Sequence, residues 1–167
     1  MHIIISGGRW FNDADVIADY LAYLRDRYGD ELVIITGGAP GADTIAEQIC
    51  ALAGITCEVF TAHWGECGPE CPPVHMKVNS RGELYCPTAG HRRNQRMLDR
   101  LPRAARNASQ PVGGVAAFID RPLEKSRGTQ NMVELARKAD VPVRVAKAKQ
   151  LPEAPASRER SDQEVDA

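Results

Sequence analysis

A chain of 167 residues, 43% of them hydrophobic, is enough for one domain with a sizeable core. It contains nothing near the roughly 18 consecutive apolar residues of a membrane span, and its start, MHIIISGG, lacks the basic stretch and small-residue cleavage site of a signal peptide; a cytoplasmic protein with no membrane partner is expected. The formal net charge of −1 gives no overall attraction to nucleic acid, and five cysteines, an odd number, predict thiols or metal ligands over disulfides.

Apolar runs bounded by glycine alternate with helical periodicity. HIIIS (2–6) and LVIIT (32–36) predict strands that are apolar throughout, as in a sheet covered on both faces, and TCEVF (56–60) predicts a third. Helices are predicted over about 13–28 and about 44–53, the second with Thr44 as N-cap and Glu47 completing a capping box. Residues 63–90, rich in Cys, Pro and Gly, interrupt the pattern as an insertion. It resumes with a helix over about 91–100 ended by Leu101-Pro102, a strand over 112–119, a helix over about 129–139 and a strand over 141–145. Five strands alternating with about four helices predict a doubly wound α/β sandwich with a mainly parallel sheet, whose ligand site lies beyond the carboxyl ends of the strands. Residues 153–167 carry five acids against two arginines, and the stretch 148–167, with Pro152, Pro155 and no aromatic residue, reads as a disordered acidic tail.

Three strand ends bring unusual residues to that rim: Ser6, Gly7, Gly8 and Arg9 after the first strand; Gly37, Gly38, Ala39, Gly41, Ala42 and Asp43 after the second; and Ser126, Arg127, Gly128 and Thr129 before the last helix. Bare backbone N–H groups in such turns and the positive end of a helix dipole both attract anions, which makes the three loops together a candidate phosphate or nucleotide cradle. The second loop has neither the Lys-Ser/Thr of a P-loop nor the G-x-G-x-x-G spacing of a dinucleotide fingerprint. Asp43 either holds the start of its helix or accepts hydrogen bonds from ribose hydroxyls. Arg92, Arg93, Arg96 and Arg100 fall on three turns of one helix, opposed by Asp99; they form either a solvated basic face or a source of bidentate phosphate ligands. Within the insertion, Trp64 either stacks on a base or anchors the segment to the sheet. Cys67, Cys71, His75 and Cys86 lie within 20 residues, and three thiolates with one imidazole suit tetrahedral zinc, the alternative being unmetallated thiols. Cys50 and Cys57 fall in a helix and a strand and are expected in the core.

The sequence S-G-G-R-W at the first strand end, T-G-G-A-P-G-A-D at the second, Trp64, A-G-H-R-R-N-Q-R-M and finally S-R-G-T-Q-N-M-V resembles, in order and spacing over residues 3–145, the YspA-like branch of the SLOG superfamily. The resemblance implies a Rossmann-like three-layer sandwich, a nucleotide-binding domain over 1–147, a nucleotide or nucleotide-derived ligand, self-association into homo-oligomers, and a bacterial or phage setting. It also implies phosphate contacts from Gly37, Gly38, Gly41, Gly128 and Thr129. Arg93, four residues before Met97, resembles the arginine of the R-K-x-x-M motif of the related LOG phosphoribohydrolases, with Asn94 in place of the lysine. The position corresponding to the LOG catalytic glutamate is Asn131, which cannot take a proton, so turnover by that route is not expected. The leading expectation is a nucleotide-ligand-binding protein that senses, sequesters or modifies a phosphoribosyl compound. An N-glycosidic hydrolase of nucleoside monophosphate or NAD-derived substrates, with Asp43, Arg93 or Glu134 as its candidates, is the alternative. A third reading is single-stranded DNA binding like that of DprA, through the basic run from Arg92 to Arg106.

Overall fold

The computed structural model describes residues 1–72, 74–102 and 113–148. The predicted acidic tail from residue 149 onward, Arg103 and Arg106 of the basic run, and the first residue of the strand predicted over 112–119 lie outside the described residues. In chain order the main elements are β1 (His2–Gly7), α1 (Ala14–Tyr28), β2 (Val33–Thr36), α2 (Ala42–Ala53), β3 (Thr56–Val59), β4 (Lys77–Val78), β5 (Leu84–Tyr85), α3 (Ala89–Arg100), β6 (Gly113–Ile119), α4 (Arg127–Lys138) and β7 (Val143–Lys147). Five strands form one sheet in the order β3-β2-β1-β6-β7, with every pairing parallel. This is the Rossmann-like α/β layout. The chain runs outward from β1 to β3, then returns to the other side of β1 as β6, so the direction of winding reverses between β1 and β6.

Alternation along the central strands explains the layers. Ile3 and Ile5 of β1 and Ile34 of β2 point into a cluster with Ile17, Leu21 and Leu24 of α1 and Ala46 and Cys50 of α2. Their neighbours Ile4 and Ile35 point the other way, onto Met97 of α3 and Met132 and Ala136 of α4. Two helices therefore cover each face, and each such fully buried isoleucine contributes about 1.5–3 kcal/mol. Cys50 is buried and Cys57 packs against the same cluster, both as free thiols, in keeping with their expected place in the core. Among the described residues no helix is long and apolar enough to cross a membrane.

Several boundaries differ from the sequence reading. Helix α2 begins at Ala42, capped by Gly41, so Thr44 is not its N-cap. Gly41 has a φ of 88°, and a β-carbon there would collide with the Gly8 carbonyl; the chain can turn into the helix early only because this residue has none. The Thr44 hydroxyl donates to the Ala39 carbonyl at 3.0 Å, and Glu47, far from closing a capping box, accepts from the Thr36 hydroxyl at 2.5 Å. α3 and α4 each start two residues before the predicted position. β7 starts two residues late, because Val141 N–H still bonds to the Ala136 carbonyl at the end of α4 and Pro142 has no N–H to give the sheet. The insertion contains an unpredicted antiparallel hairpin, β4 with β5, turned by Asn79, whose side-chain oxygen accepts from the N–H of Arg81 and Glu83 at 2.9 and 3.0 Å.

Candidate functional site

At the reversal between β1 and β6 the carboxyl ends of the strands open on a cleft of about 440 Å³. The turn after β1 is fixed by Gly8 N–H donating to the Phe118 carbonyl at 3.0 Å and by Phe11 N–H donating to the Gly8 carbonyl at 3.1 Å. This holds Ser6, Gly7, Gly8, Arg9 and Trp10 on one side of the cleft. The opposite side is the start of α4, Ser126 to Thr129, preceded by Arg121 and Lys125. Trp64 and Pro87 from the insertion, with Gly90, His91, Arg93 and Asn94 of α3, form a third wall. Sequence reasoning singled out most of these residues but missed Trp10, Pro87, Gly90, His91, Arg121 and Lys125. Trp10 directly follows the Gly-Gly-Arg turn, and Arg121 stands just past the end of β6; both positions were readable signals.

The loop after β2 behaves differently. Of its residues only Ala39 and Asp43 reach the cleft. Gly37, Gly38, Gly41 and Ala42, assigned to the cradle from sequence, are not among the residues that line it. Gly37 N–H and Ala39 N–H donate to Asp43 Oδ2 at 3.0 and 3.3 Å, and Ala42 N–H points to the Gly8 carbonyl at 3.4 Å. The first two amides close the loop on its own aspartate, and the third ties it to the turn after β1. Asp43 is therefore the buried clasp of the helix start, 4% exposed. Burial pushes its carboxyl up to about 6, with the Arg93 guanidinium and the two backbone amides pulling the other way.

Arg93 Nη1 donates to the Gly37 carbonyl, and a β-carbon on Gly37 would strike this guanidinium, so the glycine is needed for close approach. Burial lowers the Arg93 pKa from its ordinary value, partly offset by Asp43. Asn94, 3% exposed, accepts from Arg93 Nε at 3.1 Å and donates to the Gly128 carbonyl at 3.1 Å and to Asn131 Oδ1 at 3.0 Å. The two positions that depart from the LOG motifs thus bond to each other, as a neutral amide pair. Glu134 accepts from Gln130 at 2.9 Å and does not line the cleft. The other arginines of α3 are engaged within the molecule: Arg96 with the Thr61 carbonyl at 2.6 Å, and Arg100 in a two-pronged pair with Glu58 at 2.5 and 2.7 Å.

Beside the cleft, Cys67, Cys71 and Cys86 bring their Sγ atoms within 4.8 Å of one another and could hold a metal ion. His75 is not in this group as it stands; its Nε2 lies 3.3 Å from the Thr88 hydroxyl, which is itself 3.3 Å from both Cys71 Sγ and Cys86 Sγ. Arg92 Nη1 sits 3.2 Å from those same two sulfurs. Burial pushes the Cys86 thiol up, but hydrogen bonds from Thr88, Arg92 and Cys71 outweigh it and bring the thiol down to about 5.

Residues 1–66 match the model of the YspA, cpYpsA-related SLOG family. No curated protein matches the chain.

Proposed function

We propose, from the premise that this chain belongs to the YspA, cpYpsA-related SLOG family through residues 1–66, that it binds a nucleotide or nucleotide-derived phosphoribosyl ligand in the cleft, as a sensor, a sequestering protein or a modifying enzyme. The observation that carries this reading is a cleft both cationic and aromatic. Arg9, Arg93, Arg121, Lys125 and Arg127 line it with Trp10 and Trp64, and the one carboxylate among its described lining residues, Asp43, is bonded to its own loop. Arginine side chains and the start of α4 suit phosphate; an indole face suits a base. The reading treats residues 1–147 as one binding domain that self-associates, which sedimentation of the purified protein checks.

Calorimetric titration with nucleoside mono- and diphosphates, cyclic nucleotides, NAD and ADP-ribose tests it. Saturable binding of at least one is expected. No heat and no thermal shift with any of them overturns it.

An N-glycosidic hydrolase has less support, since Asn131 is paired with Asn94 and Glu134, bonded to Gln130, is not among the residues lining the cleft. Single-stranded DNA binding has less again, since Arg92, Arg96 and Arg100 are turned to partners within the chain. The same reading assigns the thiol cluster to a structural zinc ion. A tetrahedral site with Zn–S bonds of about 2.3 Å has sulfurs about 3.8 Å apart. Cys71 Sγ and Cys86 Sγ are 3.8 Å apart.

A further inference from the structure

We infer that His75 completes a Cys67, Cys71, Cys86 zinc site and that the ion holds the third wall of the cleft in its binding shape, so that metal occupancy governs the ligand site. The inference rests on the zinc reading above and carries it to a ligand set and a consequence.

The fourth ligand follows from the neighbours of the cluster. Two side chains next to each other in sequence approach it: Met76, whose sulfur is 3.4 Å from Cys67 Sγ, and His75, one hydroxyl away from Cys71 and Cys86. An imidazole nitrogen is a regular zinc ligand in a Cys₃His site, whereas a thioether suits softer ions. Arg92 cannot ligate, but it fits the surroundings. Three thiolates around Zn²⁺ leave one negative charge, and a guanidinium donating to two of the sulfurs neutralises it from outside the coordination sphere.

The consequence follows from how closely cluster and cleft interleave. Cys86 N–H donates to the Trp64 carbonyl at 2.7 Å, and Trp64 lines the cleft. Pro87, the next residue, lines it too, and Thr88 precedes α3, its carbonyl accepting from Arg92 N–H at 3.0 Å. Arg92 reaches the sulfurs while Arg93, its neighbour, lines the cleft and bonds to the Gly37 carbonyl in the loop after β2. A β-carbon on Gly90 would stand 3.3 Å from the Trp64 ring. The regular structure of the insertion among its described residues is a hairpin of two two-residue strands, tied to Trp64 by an edge contact with Tyr85, and its Val78 and Leu84 are exposed. Such a hairpin does not hold its shape alone in water, and small units of this kind are ordinarily stapled by a metal.

The test uses the full chain, zinc-loaded and chelator-treated, without any nucleotide. Metal analysis and competition against a chromophoric chelator should give one zinc per chain, lost in Cys71→Ser and bound at least tenfold more weakly by His75→Ala. Amide hydrogen exchange across residues 86–94 should slow at least tenfold when zinc is added to the wild type. If no zinc binds, the zinc reading and this inference both fall. If one zinc binds but His75→Ala keeps its affinity, the ligand set is wrong. If zinc binds and exchange over 86–94 is unchanged, the control of the cleft is wrong while the zinc reading stands. Exchange and zinc content are read on the wild type, so misfolding of a variant cannot hide either; for the ligand set, His75→Cys should restore the affinity that His75→Ala loses, and its failure to do so overturns the assignment of His75, while failure of nucleotide binding leaves all of these measurements intact.

Discussion

The loop after β2 and the start of α4 are both glycine-bearing turns from strand side to helix, yet their backbone amides have different partners. In the first, the N–H groups of Gly37 and Ala39 turn inward to Asp43 and the N–H of Ala42 turns to Gly8. In the second, the first intrahelical bond is Gln130 N–H to the Ser126 carbonyl at 2.8 Å, and residues 127–129, whose N–H groups precede it, line the cleft. The first turn of any α-helix has N–H groups without an intrahelical partner, and a ligand can take them. A buried acid at the right spacing separates the two turns: the loop with Asp43 closes on its own carboxylate, and the start of α4 has none among its hydrogen-bond partners.

The sharpest way to break this contrast is Asp43→Ala. It leaves two amides without their acceptor, one of them in a bond that is fully buried, and is expected to destabilise the fold by about 2–5 kcal/mol in urea unfolding. A stability change within about 0.5 kcal/mol would make the clasp dispensable. The pH dependence of the same residue comes next. Its folded pKa of about 6 lies above the ordinary 3.8, so the folded chain holds this proton more tightly than the unfolded one. The stability it contributes is complete below about pH 4 and is lost as pH rises through about 6. The unfolding free energy of the wild type minus that of Asp43→Asn should therefore fall by about 3 kcal/mol at most across that window. A rising difference contradicts the burial argument.

Arg93 bonds to the first region directly and reaches the second only through Asn94, and Arg93→Ala should weaken nucleotide binding by about 1.5–3 kcal/mol, roughly ten- to a hundredfold, with some loss of stability from the freed Gly37 carbonyl. Arg127, exposed at the start of α4, should lose about tenfold in affinity as Arg127→Ala while its unfolding free energy stays within about 0.5 kcal/mol. Calorimetry paired with urea unfolding reads both. The smallest effect is assigned to Thr44→Ala: about 0.5 kcal/mol or less for its one exposed hydrogen bond, against about 1 kcal/mol for loss of a true N-cap.

The sheet was legible because Ile3, Ile4 and Ile5 and then Ile34 and Ile35 leave no solvent face, a pattern that only a strand between two helical layers tolerates. Helix starts were less so. Thr44 and Glu47 have the spacing of a capping box, but the freedom of Gly41 and the pull of Gly8 start the helix earlier, a contact between strand ends that no local pattern encodes. The same limit applied to the cleft. Ser6 to Arg9 and Ser126 to Thr129 were readable as turns, whereas the inward closure of Gly37 and Ala39 depends on where Asp43 and Arg93 meet the loop in space. The hairpin from Lys77 to Tyr85 escaped notice because strands of two residues carry no periodicity, though Asn79-Ser80-Arg81-Gly82 is a turn signal in its own right.

The chain has two tryptophans, and both line the cleft: Trp10 on the side of β1, 75% exposed, and Trp64 on the insertion, 43% exposed. Its entire indole emission therefore originates at the candidate ligand site. A base stacked on either ring would dim that light, and replacing one tryptophan at a time would tell which side of the cleft it rests on. The protein carries its own optical gauge of occupancy, with no label to attach.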